Sequence, residues 1–257
     1  DQARGDWVAI VDSDDLIHPQ RLSRMLAAAQ SSRADILIDD LAIFDGDGSS
    51  GIDTMFDGPL ADAPTTISEQ TYIHANFLFG KGKKLGYAKP LIRHAVLKSH
   101  AIRYNEAMRI GEDYDLIVRL LGKGCIMATL PETLYFYRKH SASISHRLDM
   151  ASLEALEAMA QSDADADGKS AEVRAANRDR LKSIRRAIGF NQLVTAIKQA
   201  DVTTIFSLVM REPSAFTLLH LPLSARLGAL FPKQRETAPE IVSMIAELDR
   251  STRRARQ

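Results

Sequence analysis

The sequence has little cysteine: Cys125 is the only one in 257 residues. A single thiol cannot form an internal disulfide, and the apolar stretch around it predicts a small buried side chain rather than a nucleophile. This fits a protein of a reducing compartment.

A charge excess and a long apolar run are also lacking. The 33 Lys and Arg residues balance 33 Asp and Glu residues, so the net charge gives no indication of a nucleic-acid partner. No uninterrupted apolar run is long enough to span a bilayer. The composition, 45% hydrophobic and 26% charged, is that of a folded protein with one or two domains.

The most informative stretch runs from Trp7 to Asp15, where a short apolar segment ends in Asp12, Asp14 and Asp15. Five consecutive apolar residues are too few for a helix but suit a buried strand. The acids are therefore predicted to project from its carboxyl end, where open α/β sheets bind ligands. Neighbouring carboxylates repel one another unless they share a cation or a proton, and Mg²⁺ or Mn²⁺ is the simplest solution. An Asp-rich surface turn is the alternative.

A second block opens with Glu112 and Asp113 and continues into apolar residues at helical spacing. The two acids fall in the first turn of the predicted helix, where the macrodipole favours negative charge. Helix capping alone would explain them. A carboxylate held rigidly at the head of a buried helix can also serve as a general base, with its neighbour in support.

A third block, residues 133–138, has the composition of a strand and ends in a polar cluster that contains His140. A lone histidine is usually structural. Neutral imidazole is also a common ligand for transition metals such as Mn²⁺.

Together the three blocks resemble the GT-A-fold glycosyltransferases that use nucleotide-sugar donors, in the large inverting family that builds bacterial polysaccharides. The resemblance rests on Asp12-Ser13-Asp14-Asp15, on Gly111-Glu112-Asp113-Tyr114-Asp115 and on Tyr137-Arg138-Lys139-His140, in that order. It implies an α/β fold with a Rossmann-like mixed sheet over residues 1–147, followed by a mainly helical region over residues 148–257.

The resemblance also implies a role for each site residue. Asp12 would face the nucleoside ribose, Asp14 would hold Mg²⁺ or Mn²⁺ on the diphosphate, and Asp15 would support both. Asp113 would be the catalytic base, with Glu112 beside it. His140 would complete the metal site, and Arg138 would assist the leaving group.

Family members begin with a portion that grips the nucleotide base, whereas here almost nothing precedes the metal motif. We therefore expect this sequence to lack the N-terminal half of the catalytic core. One alternative is a haloacid-dehalogenase-like phosphatase with Asp12 as nucleophile and Asp14 as proton donor, although Leu16 stands where that family has Thr or Val. A non-catalytic sugar-binding remnant is another.

Donor, acceptor and location are less clearly marked in the sequence. The resemblance implies a UDP-, GDP- or dTDP-sugar donor and a polysaccharide, cell-surface glycan or lipid-linked acceptor, in the cytoplasm. The apolar segment 215–231 is interpreted either as a packed helical hairpin or as an element in contact with the inner membrane face. The arginine-rich end, residues 250–256, is interpreted as a frayed tail or as a contact with anionic lipid.

Overall fold

We describe the protein from a computed structural model, which covers residues 2–45, 52–80, 84–139, 149–220 and 239–255. Seven strands form one sheet with the order β1-β6-β3-β7-β2, in which β4 pairs with β3 and β5 pairs with β7. The strands are β1 Trp7–Ala9, β2 Leu16–Ile17, β3 Ile36–Asp45, β4 Ile52–Thr54, β5 Thr66–Ile67, β6 Leu91–Arg93 and β7 Met127–Lys139. β3 and β7 run parallel, whereas the other pairs are antiparallel. The predicted mixed sheet is confirmed.

The strand that leads to the acids differs from the prediction. β1 is only three residues long and half-buried, and Val11 is 45% exposed. Within the described residues β1 pairs on one side only, with β6, so it lies at the end of the sheet order. A strand covered on one edge is not the fully buried strand that five apolar residues predicted.

The centre of the sheet is β3, whose side chains are almost all buried. Its pairing with β7 shifts register at Asp39 and Asp40. The carboxylate of Asp40 accepts hydrogen bonds from the backbone N–H groups of Leu41, Met55 and Phe56 and from the hydroxyl of Thr133. These bonds satisfy a buried acid at the irregularity.

Nine helices are present in the described part of the chain. They are α1 Arg21–Ser32, α2 Pro59–Asp62, α3 Glu69–His74, α4 His94–Ser99, α5 Glu112–Leu121, α6 Met150–Asp165, α7 Ala171–Gln199, α8 Val202–Arg211 and α9 Pro239–Ala255. Short 3₁₀ turns span Leu85–Tyr87 and Pro213–Leu218. The helix predicted after Glu112 is confirmed, and its apolar face, with Leu116 and Leu120, packs in the main core.

The C-terminal region is helical, as predicted, and it packs on the sheet domain. Val173 and Ala176 of α7 lie in the same apolar cluster as the β3 residues Ile36 and Ile38. The boundary after residue 147 stays a prediction. No helix among the described residues is long and apolar enough to cross a membrane.

The end of the chain is not a frayed tail as far as residue 255. It forms α9, which buries Ile245 completely against Leu16, Phe44 and Phe136. Apolar spacing within residues 241–248 explains this packing. Most of the segment proposed as a membrane contact, residues 221–231, lies outside the described residues.

Candidate active site

Residues of β7 hold the acid-rich turn that follows β1. The hydroxyl of Tyr135 donates to Asp15 Oδ2 at 2.6 Å, and the backbone N–H of Arg138 donates to Asp15 Oδ1 at 2.8 Å. The backbone N–H of Asp12 donates in turn to the Tyr135 oxygen at 3.0 Å. Asp15 therefore anchors the turn, while Asp14 is exposed at its tip.

Burial raises the pKa of Asp15 above its ordinary value of 3.8. The hydrogen bonds from Tyr135 and Arg138 oppose this shift, and the charges of Asp12 and Asp14 add to it. The native protein therefore holds a proton on Asp15 at pH values at which the unfolded chain has released it.

We expect this carboxylate to reduce stability as pH rises from 3.8 through the raised native pKa, because the native state binds more protons there than the unfolded state. Asp15→Asn removes the titrating group. The stability of the natural protein relative to the variant should therefore fall with increasing pH, measured as denaturation midpoints in a pH series. Parallel pH curves for the two proteins would contradict the raised pKa.

The first turn of α5 carries Glu112 and Asp113, which are both half-buried. Asp113 Oδ1 accepts from the Tyr104 hydroxyl at 2.8 Å, and Asp113 Oδ2 accepts from Lys89 Nζ at 3.2 Å. The helix starts after Gly111, whose φ of 86° suits glycine, and no side chain caps it. Asp113 thus has side-chain partners from two other segments in addition to its place in the first turn of the helix, and its role as the base stays a prediction. Burial raises the pKa of its neighbour Glu112.

Lys89 joins the first and second acidic blocks. Its ammonium lies 2.9 Å from Asp12 Oδ2 and 3.2 Å from Asp113 Oδ2. Burial alone would lower the pKa of Lys89, but Asp113 and Asp12 outweigh it, so the pKa is raised. The lysine is charged at neutral pH and stands between two carboxylates that come from different elements.

Beneath Lys89 lies a fully buried ion pair between α1 and β3. Arg21 Nε and Nη2 donate to the two carboxylate oxygens of Asp39 at 2.7 and 2.8 Å. Arg21 Nη2 also donates to the carbonyl of Lys89 at 2.5 Å, and the guanidinium lies 4.8 Å from the centre of the Tyr135 ring. Arg21 thus contacts both Lys89, which joins the two acidic blocks, and Tyr135, which binds Asp15 of the first block.

Arg138 extends from β7 to the C-terminal helix. Its Nη2 lies 2.8 Å from Asp249 of α9, its Nε donates to the Asp14 carbonyl at 3.2 Å, and its guanidinium covers the Phe44 ring at 4.8 Å. The side chain therefore lies beside the acid-rich turn and ties α9 to it, and its role toward the leaving group stays a prediction.

The carboxylates of the acid-rich turn suit a metal ion that takes most of its ligands from a bound substrate. Within the part of the chain that the structure describes, no group of three or more His, Cys, Asp or Glu side chains could hold an ion. Asp15 is engaged by Tyr135 and Arg138, and Asp12 by Lys89. Mg²⁺ commonly uses one or two carboxylates plus phosphates and water. The exposed side chain of Asp14 could provide one such carboxylate. His140 lies outside the described residues.

The structure thus brings Asp12, Asp15 and Asp113 together and adds residues that the sequence analysis missed. These are Lys89, Tyr104, Tyr135, Arg21 and Asp39. Tyr135 lies in the third block, where the sequence analysis assigned it no role, and the other four lie in none of the three blocks. Only the folded chain brings them to the acids.

Comparison with known proteins gives consistent matches. Residues 1–83 match the model of the family described as glycosyl transferase family 2. The chain is 30% identical over 253 residues to the succinoglycan biosynthesis protein ExoO of Rhizobium meliloti (strain 1021), covering 97% of this chain and 72% of that protein. It is 32% identical over 145 residues to the succinoglycan biosynthesis protein ExoU of the same organism, covering 54% of this chain and 41% of that protein.

A solved structure is similar in fold. S. aureus TarS 1-349, crystallised in complex with UDP-GlcNAc, matches 81% of this chain with a TM-score of 0.55 and 17% sequence identity. The match covers 57% of the TarS chain, so this chain spans less than two thirds of that protein and of ExoU. At this identity the likeness concerns the fold, a mixed sheet with helices of the GT-A type.

Proposed function

The chain belongs to glycosyl transferase family 2, and we propose that it takes part in transferring a sugar from a nucleotide-diphosphate donor to a hydroxyl acceptor with inversion. Family membership argues against the phosphatase alternative. The other alternative, a sugar-binding remnant without catalytic activity, would be detected by the experiments below.

One observation supports the proposal above all others. Asp12 and Asp113 stand far apart in sequence, yet both carboxylates contact the ammonium of Lys89. Displacing a nucleoside diphosphate requires a site for the donor beside a base for the acceptor hydroxyl. This juxtaposition would set a carboxylate for donor binding and a base on either side of one ammonium.

In the proposed reaction Asp113 accepts the proton of the acceptor hydroxyl as that oxygen attacks the anomeric carbon, and the bond to the diphosphate breaks on the opposite face. Tyr104 and Lys89 orient the carboxylate of Asp113, and Glu112 supports it. Asp12 binds the nucleoside part of the donor, and Asp15 keeps the turn in place. Arg138, next to the turn, offsets negative charge on the departing diphosphate.

We infer that Asp14, with His140, holds Mg²⁺ or Mn²⁺ at the diphosphate. When bound, the ion would offset the charge that develops on the leaving phosphate. The exposed position of Asp14 at the tip of the turn supports this assignment.

Asp14→Ala is expected to abolish the metal dependence of donor binding, because it removes the carboxylate assigned to the ion. The fold should survive, since Asp14 is exposed. Titration calorimetry of the full-length protein with a nucleotide-sugar, with and without Mn²⁺, measures the effect. Ser13→Ala in the same exposed turn is the matched control. Unchanged metal-dependent affinity in Asp14→Ala would contradict the assignment.

The donor and acceptor are best identified by a screen of the full-length protein against UDP-, GDP- and dTDP-sugars. UDP-GlcNAc is the first donor to test, since TarS was crystallised with it. The names of ExoO and ExoU favour a polysaccharide or its lipid-linked precursor as acceptor. A lipid-linked acceptor would place the enzyme in the cytoplasm with peripheral contact to the inner membrane face. Absence of transfer from every nucleotide-sugar would contradict the proposed function.

A further inference from the structure

We propose that Lys89 is a positioning residue that fixes the general base Asp113 relative to Asp12, the carboxylate assigned to binding the nucleotide-sugar donor. The inference rests on the proposed function, because it assumes the roles of these two acids. Its basis is that one ammonium contacts both carboxylates, at 2.9 and 3.2 Å. No sequence motif marks this lysine.

The backbone of Lys89 is anchored on two sides. Its carbonyl accepts the hydrogen bond from Arg21, which is locked to Asp39 by two further bonds. The next residue, Pro90, restricts Lys89 to an extended conformation. The carbonyl of Pro90 accepts a hydrogen bond from the N–H of Ile10 at 3.1 Å. Lys89 is thereby connected to the strand end that carries Asp12.

The side chain of Lys89 is also confined. Only 10% of it is exposed, whereas the side chains of Asp12 and Asp113 are 41% and 22% exposed. The buried stem gives the ammonium a fixed position, and the carboxylates remain partly exposed. A buried lysine stem with a charged tip is suited to set the positions of partly exposed acids.

The arrangement determines how the base is oriented. Each oxygen of Asp113 accepts one bond, Oδ1 from Tyr104 and Oδ2 from Lys89, so the plane of the carboxylate is fixed. An ionised carboxylate has further lone pairs for an acceptor hydroxyl. The ammonium also offsets the repulsion between Asp12 and Asp113, which would otherwise drive them apart when a donor is bound. Proton transfer is sensitive to such placement.

The test replaces Lys89 in the full-length enzyme. Lys89→Met keeps most of the stem and removes the charge, and it should lower kcat/KM by about 10–100-fold. The variant is expected to fold, because both acids are exposed enough to be hydrated when the ammonium is lost. Lys182→Met is the matched control, since the Lys182 side chain is 76% exposed and pairs with Asp179 of its own helix.

Chemical rescue separates positioning from a merely structural role. In Lys89→Ala, added ethylammonium should restore turnover in a saturable way, because it brings N–H donors to the two carboxylates. Tetramethylammonium has the same charge without an N–H group and should restore nothing. Rescue by ethylammonium alone would support the proposal.

Three results would overturn it: kcat/KM of Lys89→Met within twofold of the natural enzyme, a folded Lys89→Ala that ethylammonium does not activate, or equal rescue by both cations. If Lys89→Met and Lys89→Ala fail to fold, Lys89→Arg replaces them. It keeps the charge but shifts the donors, so a severalfold fall in kcat at unchanged melting temperature is expected, and an unchanged kcat would overturn the proposal. Failure of the natural enzyme to transfer any sugar is a different result and would contradict the proposed function itself.

Discussion

Asp113→Asn in the full-length enzyme is expected to lower kcat by about 10²–10⁴-fold and to leave donor affinity nearly unchanged. The carboxylate is needed when the acceptor hydroxyl loses its proton, but not when the donor binds. Asparagine has nearly the same size and can still accept one hydrogen bond from Tyr104 or Lys89. The amide nitrogen cannot accept a proton, so the loss should concern the chemical step.

Transfer rates and donor affinity of Asp113→Asn, measured under the same conditions, check this prediction. Glu112→Gln is the matched control in the same helical turn, and a milder effect is expected because Glu112 supports its neighbour. Melting temperatures of both variants should stay close to that of the natural protein, since both side chains are only half-buried and both substitutions keep the size of the side chain. Near-normal turnover of Asp113→Asn would end the assignment of Asp113 as the base.

Arg21→Met should have the largest effect on stability, a loss of about 3–5 kcal/mol in the free energy of unfolding. Arg21 and Asp39 have side chains that are 0% and 1% exposed, so methionine would leave the Asp39 carboxyl in the core without its cation, where burial raises its pKa. The change also removes the hydrogen bond to the Lys89 carbonyl and the cation beneath the Tyr135 ring. Activity should therefore fall together with stability.

Denaturant unfolding monitored by circular dichroism measures this loss. Arg24→Met provides a matched control on the same helix, because Arg24 pairs with Glu132 at 2.7 Å but both side chains are more than 40% exposed. Exposed pairs of this kind contribute about 0–1 kcal/mol. Adding Asp39→Leu to Arg21→Met should recover part of the loss, since no buried charge then remains. Equal effects of the two arginine substitutions would contradict the importance of the buried pair.

The sequence predicted the helices better than the strand before the acids. Helical spacing of apolar residues after Glu112 predicted α5, because each turn of a helix depends on neighbours three and four residues away. β1 was predicted as longer and more buried than it is, since the burial of a strand depends on which strands pair with it. The C-terminal arginines were interpreted as a frayed tail or as a contact with anionic lipid, whereas the chain there forms α9, which extends to residue 255 and packs Ile245 on the sheet.

The family, the mixed α/β fold and the candidate acids could be predicted from the sequence, because these depend on local motifs and on their order along the chain. The residues that support those acids could be found only in the folded chain. Tyr135 reaches Asp15 across 120 positions of sequence, and Lys89 reaches both Asp12 and Asp113. Such contacts follow from the pairing of β1 with β6 and of β2 with β7. Strand register couples distant segments, and no local pattern of residues encodes it.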